Sequence, residues 1–122
     1  MKKIGISCAG ILKRYGIERG LEICKESGFD AVDISLERYH TGDEIYGGSE
    51  DVFMSHFTGI RHKAEELGLE ISQTHGRCVT YFQEDEEHNE QIRQVTKRDL
   101  KASSVLGSPS CVIHFINSPS IS

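Results

Sequence analysis

The chain has only two prolines among its 122 residues, no apolar run longer than a few residues and no excess of basic charge. Each absence removes a class. With 37% hydrophobic and 27% charged residues, so little proline excludes a collagen-like, mucin-like or wholly disordered chain. A bilayer span needs about 20 consecutive apolar residues, and the sequence nowhere supplies them. The opening MKKIGISCAGILKRYG begins with charge, but Lys13 and Arg14 break its apolar stretch before a signal-peptide core can form. Nineteen acidic against fourteen basic residues give a net charge of −5, with a pI near 5.6 and a mean hydropathy of −0.39. A nucleic-acid surface shows a basic excess, so nucleic acid is disfavoured as a partner, and no membrane partner is expected.

Catalytic signatures are missing too. The four cysteines, Cys8, Cys24, Cys78 and Cys111, form no C-x-x-C pair and are read as free, mostly buried thiols. That reading predicts a reducing, cytoplasmic location. No G-x-S-x-G elbow, Walker loop or G-x-G-x-x-G fingerprint occurs. Gly47-Gly48-Ser49 has neither the spacing nor the lysine of a phosphate loop and reads as a flexible lead into a helix. No catalytic residue is assigned.

What the sequence does contain is a repeat. The segments KESGFDAVDIS (25–35), EELGLEISQTH (65–75) and SVLGSPSCVIH (104–114) share one pattern of helical stretch, glycine and extended stretch. Their glycines, Gly28, Gly68 and Gly107, stand about forty positions apart. A glycine after a helical run is the usual left-handed terminator, since it lacks the Cβ that makes positive φ costly. Phe53, Phe57, Ile60, Ala64 and Leu67 recur at helical spacing behind Ser49, a candidate N-cap. The acidic run Glu84–Glu87 reads as the opening of a further helix.

The predicted order is strand 3–8, helix 17–27, strand 31–36, helix 50–67, strand 70–75, helix 88–106 and strand 110–116. Strands alternating with helices through such junctions predict an α/β fold of parallel βα repeats, with about four strands and three helices. One domain over residues 1–116 is expected, followed by a short Ser-rich tail, 117–122. The long connections follow strands, where parallel α/β folds build their sites.

Counting from each glycine places Asp33 and Gln73 at offset five and Ser35, His75 and His114 at offset seven. Side chains two apart on a strand share a face, so Asp33, Gln73, His75 and His114 are expected together, away from the helices. Two imidazoles at neighbouring strand ends suit a divalent metal or a substrate's hydroxyls or phosphate, although a metal site needs further ligands. Asp33 and Glu37 are the acids at hand. His40, His56, His62 and His88 have no such support and read as surface residues.

GFDAVDIS, ELGLEISQTHG and ASSVLGSPSCVIH, in this order and spacing, resemble the first half of the xylose isomerase-like TIM barrels, the superfamily of the sugar phosphate isomerase/epimerase group. The resemblance runs from Ile4 to about His114. It implies a partial, half TIM barrel from a metal-dependent sugar or sugar-phosphate isomerase or epimerase, inactive alone. Asp33, Gln73 and Glu37 would bind substrate, and His75 and His114 would bind zinc, manganese or magnesium in an incomplete site. The family's main metal ligands and acid–base carboxylates come largely from later strands that this sequence does not contain. Such a half-barrel would expose sheet edges and so favour homo-oligomers. An alternative within the resemblance is a fragment of an endonuclease IV-like zinc phosphodiesterase. An alternative outside it is a small non-catalytic α/β binding or assembly module.

Overall fold

The computed structural model describes residues 3–82 and 84–117. In chain order the elements are β1 (Gly5–Ser7), α1 (Ala9–Tyr15), α2 (Ile17–Glu26), β2 (Ala31–Ser35), α3 (Glu44–Gly47), α4 (Glu50–Leu67), β3 (Glu70–Tyr81), α5 (Glu86–Leu106) and β4 (Cys111–Asn117). The four strands are all parallel and lie in the order β1-β2-β3-β4. This is the α/β arrangement of parallel βα repeats that the glycine period predicts. Strand order does not reverse among the described residues, so the switch point of a doubly wound sheet is not present there. No helix of the described residues is long and apolar enough to cross a membrane.

The junctions behave as the sequence requires. Gly68 and Gly107 cap α4 and α5 with φ of 72° and 76°, and Gly28 has φ of 94°. Ser49 accepts a hydrogen bond from the Val52 N–H at 3.2 Å and Asp85 one from the His88 N–H at 2.9 Å. Each such cap contributes about 1 kcal/mol. The predicted apolar stripe of α4 is the buried one, with Phe53, Phe57, Ile60 and Ala64 inside. They join Leu21, Cys24, Val32, Ile34, Ile71 and Leu106 in one core between the sheet and the helices.

The described residues hold five helices where three were expected. The stretch 9–16 is not a loop: α1 buries Leu12 and is ended by Gly16 at φ 84°. It packs so closely on α2 that a Cβ at Gly20 would lie 2.5 Å from Leu12 Cδ2. Gly47 ends the short helix α3, whose N-cap is Asp43, so Gly47-Gly48 is a structured turn and not a slack lead. β3 runs six residues beyond its expected end, because Cys78–Tyr81 pair with His114–Asn117. β4 extends to Asn117, the first residue of the expected tail; 118–122 lie outside the described residues.

The β2–α3 connection is held by aromatics. Tyr39 stacks on Tyr46 with centroids 5.2 Å apart and meets Phe57 edge-on at 5.1 Å. His56 is half-buried here, not a free surface residue, with Nε2 2.7 Å from the Tyr39 hydroxyl. Burial, aided by the nearby Arg38 charge, holds the His56 pKa below its ordinary 6.5. Burial likewise pushes the Tyr39 hydroxyl up to about 12. With its folded pKa depressed, His56 contributes stability above about pH 6.5 that is lost as the unfolded chain takes up the proton on acidification. Urea midpoints are expected to fall less between about pH 7.5 and about pH 5.5 in His56→Gln than in the parent. An unchanged profile would contradict the assignment. His88 is also tied down, with Nε2 2.9 Å from the Thr80 carbonyl oxygen.

Candidate functional site

One face of the sheet carries the helices and the other carries polar side chains. Along β2, Val32 and Ile34 are buried on the helical side while Asp33 and Ser35 remain partly exposed on the other. The register pairs Asp33 with Gln73 and Ser35 with His75, as counting from the glycines requires. One extra residue of β3 is accommodated between the partners of Val32 and Asp33. Before that bulge Ala31 faces Glu70, one residue out of the glycine count; the bulge removes the difference.

The side chains interlock. Asp33 Oδ2 accepts a hydrogen bond from Gln73 Nε2 at 2.8 Å and lies 2.7 Å from His75 Nδ1. A carboxylate in this position fixes the proton on Nδ1, so the neutral ring carries its lone pair on Nε2. Asp33 Oδ1 receives no protein hydrogen bond among the described residues. The His75 side chain remains 37% exposed, which leaves its free edge accessible. Beside the trio, Gly5, Ile6, Ser7 and Ser72 complete an open cavity of about 330 Å³ that Asp33 and Gln73 also line.

His114 joins this group, but not at the predicted height. His75 pairs with Val112, and His114 pairs with Cys78 after a second bulge in β3 between His75 and Cys78. The equal offsets thus fail by two residues already at His75, before the bulge, and by three at His114. Both imidazoles also stand within their strands and not at the expected strand ends, because β3 and β4 continue to Tyr81 and Asn117. The rings still lie on one side of the sheet, centroids 6.1 Å apart and planes 24° apart. Two imidazoles match two positions of a zinc-type shell, which takes three or four protein ligands. Among the described residues no three His, Cys, Asp or Glu gather around one point. Asp33 serves instead as the carboxylate that orients an imidazole from behind.

Glu37 stands apart. It is exposed in the β2–α3 connection, its N–H donating to Ser35 Oγ at 3.3 Å, and it bonds to none of the other four residues. It lines a different cavity, of about 410 Å³, with Ala9, Leu12, Lys13, Ser35 and Arg38.

Sequence reasoning missed the buried ion pair behind the site. Arg77, in the second bulge, reaches Asp99 of α5 through Nη2 at 3.2 Å and Nε at 3.3 Å, and donates from Nη2 to the Leu36 carbonyl at 2.9 Å. The Tyr46 hydroxyl donates to Asp99 Oδ1 at 2.6 Å. Burial, then the anionic carboxylate, pushes the Tyr46 pKa up. The one sequence signal was Val79-Thr80-Tyr81, whose strand-forming residues argue for a longer β3 and hence for Arg77 inside the sheet. The thiols are free: Cys8 and Cys24 are buried, Cys111 is half-buried and Cys78 is exposed beside the His114 register position. Burial raises the Cys8 pKa to about 12, which makes that thiol inert.

Comparison with protein-family models and with curated proteins finds no match for this chain.

Proposed function

We propose that the chain carries the first three βα units and the fourth strand of a sugar or sugar-phosphate isomerase/epimerase-like barrel, and that its open face binds a polyhydroxylated substrate. The observation behind this reading is the joined Asp33–Gln73–His75 trio with His114 stacked beside it, on the helix-free face of three adjacent parallel strands. Such a group offers what vicinal hydroxyls need: a carboxylate oxygen to accept, and an imidazole whose free nitrogen accepts or donates with protonation state. A divalent metal, when bound, would supply Lewis-acid stabilisation of substrate oxygens, with His75 and His114 holding it.

Proton transfer beside a carbonyl requires a free base of tuned pKa. Asp33 is committed to His75 and Gln73, so this chain is expected to bind without appreciable turnover. Measurable epimerase activity of the purified 122-residue chain would refute that expectation.

The binding itself is tested by NMR titration of the full chain with ribitol, with and without Mn²⁺ or Zn²⁺. Shifts are expected at Asp33, Gln73, His75 and His114. Asp33→Asn and His75→Gln each remove a charged or oriented partner, which weakens binding about tenfold. Shifts elsewhere, or affinities indifferent to both variants, would remove the sugar reading. Metal shifts that survive both His75→Ala and His114→Ala would remove the metal role.

A further inference from the structure

We propose that the cavity between α1 and the β2–α3 connection is an oxyanion pocket, taking the phosphate or carboxylate end of the same polyhydroxylated ligand. The proposal rests on the sugar reading for the remainder of that ligand. The cavity, about 410 Å³, falls within the range of small-molecule sites. Two cations line it, Lys13 from α1 and Arg38 from the connection.

Among the described residues neither is ion-paired, as is also true of Arg14, Lys25 and Lys97, whereas Lys3, Arg19, Arg61, Lys63, Arg77, Arg93, Arg98 and Lys101 have acidic partners. What sets Lys13 and Arg38 apart is that they line one cavity. In a chain of net charge −5, two cations without acidic partners, Arg38 lying over the Tyr39 ring at 5.8 Å, share one cavity and leave its field poised for an anion. Guanidinium and ammonium groups bind phosphate or carboxylate through charge-assisted hydrogen bonds, the guanidinium as a planar fork. Ser35 adds a hydroxyl, which already accepts from the Glu37 N–H and keeps its own proton to donate. Glu37 is the remaining wall. Its carboxylate leaves the cavity with one net positive charge and can accept from a hydroxyl next to the oxyanion.

Continuity with the trio follows from the strand register. Ser35 pairs with His75 and stands two residues beyond Asp33 on the same face, a separation of about 6.6 Å. A four- or five-carbon chain spans that distance. An anion held between Lys13 and Arg38 would thus place its hydroxyls over Asp33 and His75.

The full chain is titrated, by NMR and calorimetry, with ribose 5-phosphate, ribonate and ribitol, and with inorganic phosphate alone. The anionic ligands are expected to bind about tenfold more tightly than ribitol. Shifts are expected at Lys13, Ser35 and Arg38, and inorganic phosphate should shift the same three amides. A larger gain for ribose 5-phosphate assigns the pocket to phosphate, and a larger gain for ribonate assigns it to carboxylate. Lys13→Gln and Arg38→Gln each remove about three- to fivefold of the gain and leave ribitol binding unchanged. An anion preference that needs both cations while His75→Gln has no effect supports the pocket and removes the sugar reading. Equal affinity for anionic and neutral ligands, or a preference that survives the Lys13→Gln/Arg38→Gln double variant, overturns the proposal.

Discussion

Asp99→Ala is expected to lower the free energy of unfolding by about 3–5 kcal/mol, the usual cost of leaving a buried charge without its partner. Asp99 is 2% exposed, and its carboxylate receives Arg77 and the Tyr46 hydroxyl. Without it, the guanidinium keeps the Leu36 carbonyl, a contact at 3.5 Å with His40 Nδ1 and the Tyr46 ring face at 6.0 Å, none of them an anion. A domain stable by roughly 5–15 kcal/mol would lose a large share of its margin. The pair itself need not be net stabilising, because desolvating two charges offsets much of their attraction. The double variant Arg77→Met/Asp99→Leu is therefore expected to lose clearly less than the two single changes combined, as read from urea unfolding. A loss below about 1 kcal/mol for Asp99→Ala would mean that water reaches the pair. The consequence for the site is positional: Arg77 ties β3 to the residue from which the connection bearing Glu37 and Arg38 departs.

Phe57→Ala carries the other large effect, again about 3–5 kcal/mol from lost burial and the cavity left behind. Phe57 is fully buried and touches Tyr39, Phe53 and His56, with ring centroids 5.1, 4.9 and 4.9 Å away. Its removal takes the floor from under Tyr39, whose N–H bonds back to the Leu36 carbonyl at 3.1 Å. Hydrogen exchange at Tyr39 should accelerate more than the global loss of stability accounts for, because the connection opens locally. Phe57→Leu, which keeps most of the volume, is expected to cost about 1.5 kcal/mol or less. Equal losses for Leu and Ala would place the effect outside the packing of that side chain.

Much of this architecture is legible in the residues, and the parts that are not share a cause. Helix α4 can be read to the residue because its apolar stripe, its Ser49 cap and its Gly68 terminator all agree. The alignment of Asp33 with Gln73 and of Ser35 with His75 follows from counting along equal repeats. His114 departs from that count because β4 is already two residues out of step with β3 at Thr74–Cys111 and His75–Val112, and the bulge before Cys78 adds a third; the spacing of the glycines announces neither. α1 and α3 escape detection because they are short, and each buries a single side chain, Leu12 and Tyr46. Too few apolar positions are then left for a period to emerge. The Arg77–Asp99 pair joins two elements through tertiary contact, which no spacing rule encodes. His56 reads as a surface residue until Tyr39 folds over it.

Imidazole ¹⁵N spectra of the folded chain, together with ring-proton NOEs, address the convergence of Asp33, Gln73, His75 and His114 most directly. His75 is expected with its proton on Nδ1, shifting toward the Nε2–H form in Asp33→Asn, and its ring protons should show NOEs to those of His114. A His75 ring protonated only on Nε2 in the parent, with no NOE to His114, would contradict the account.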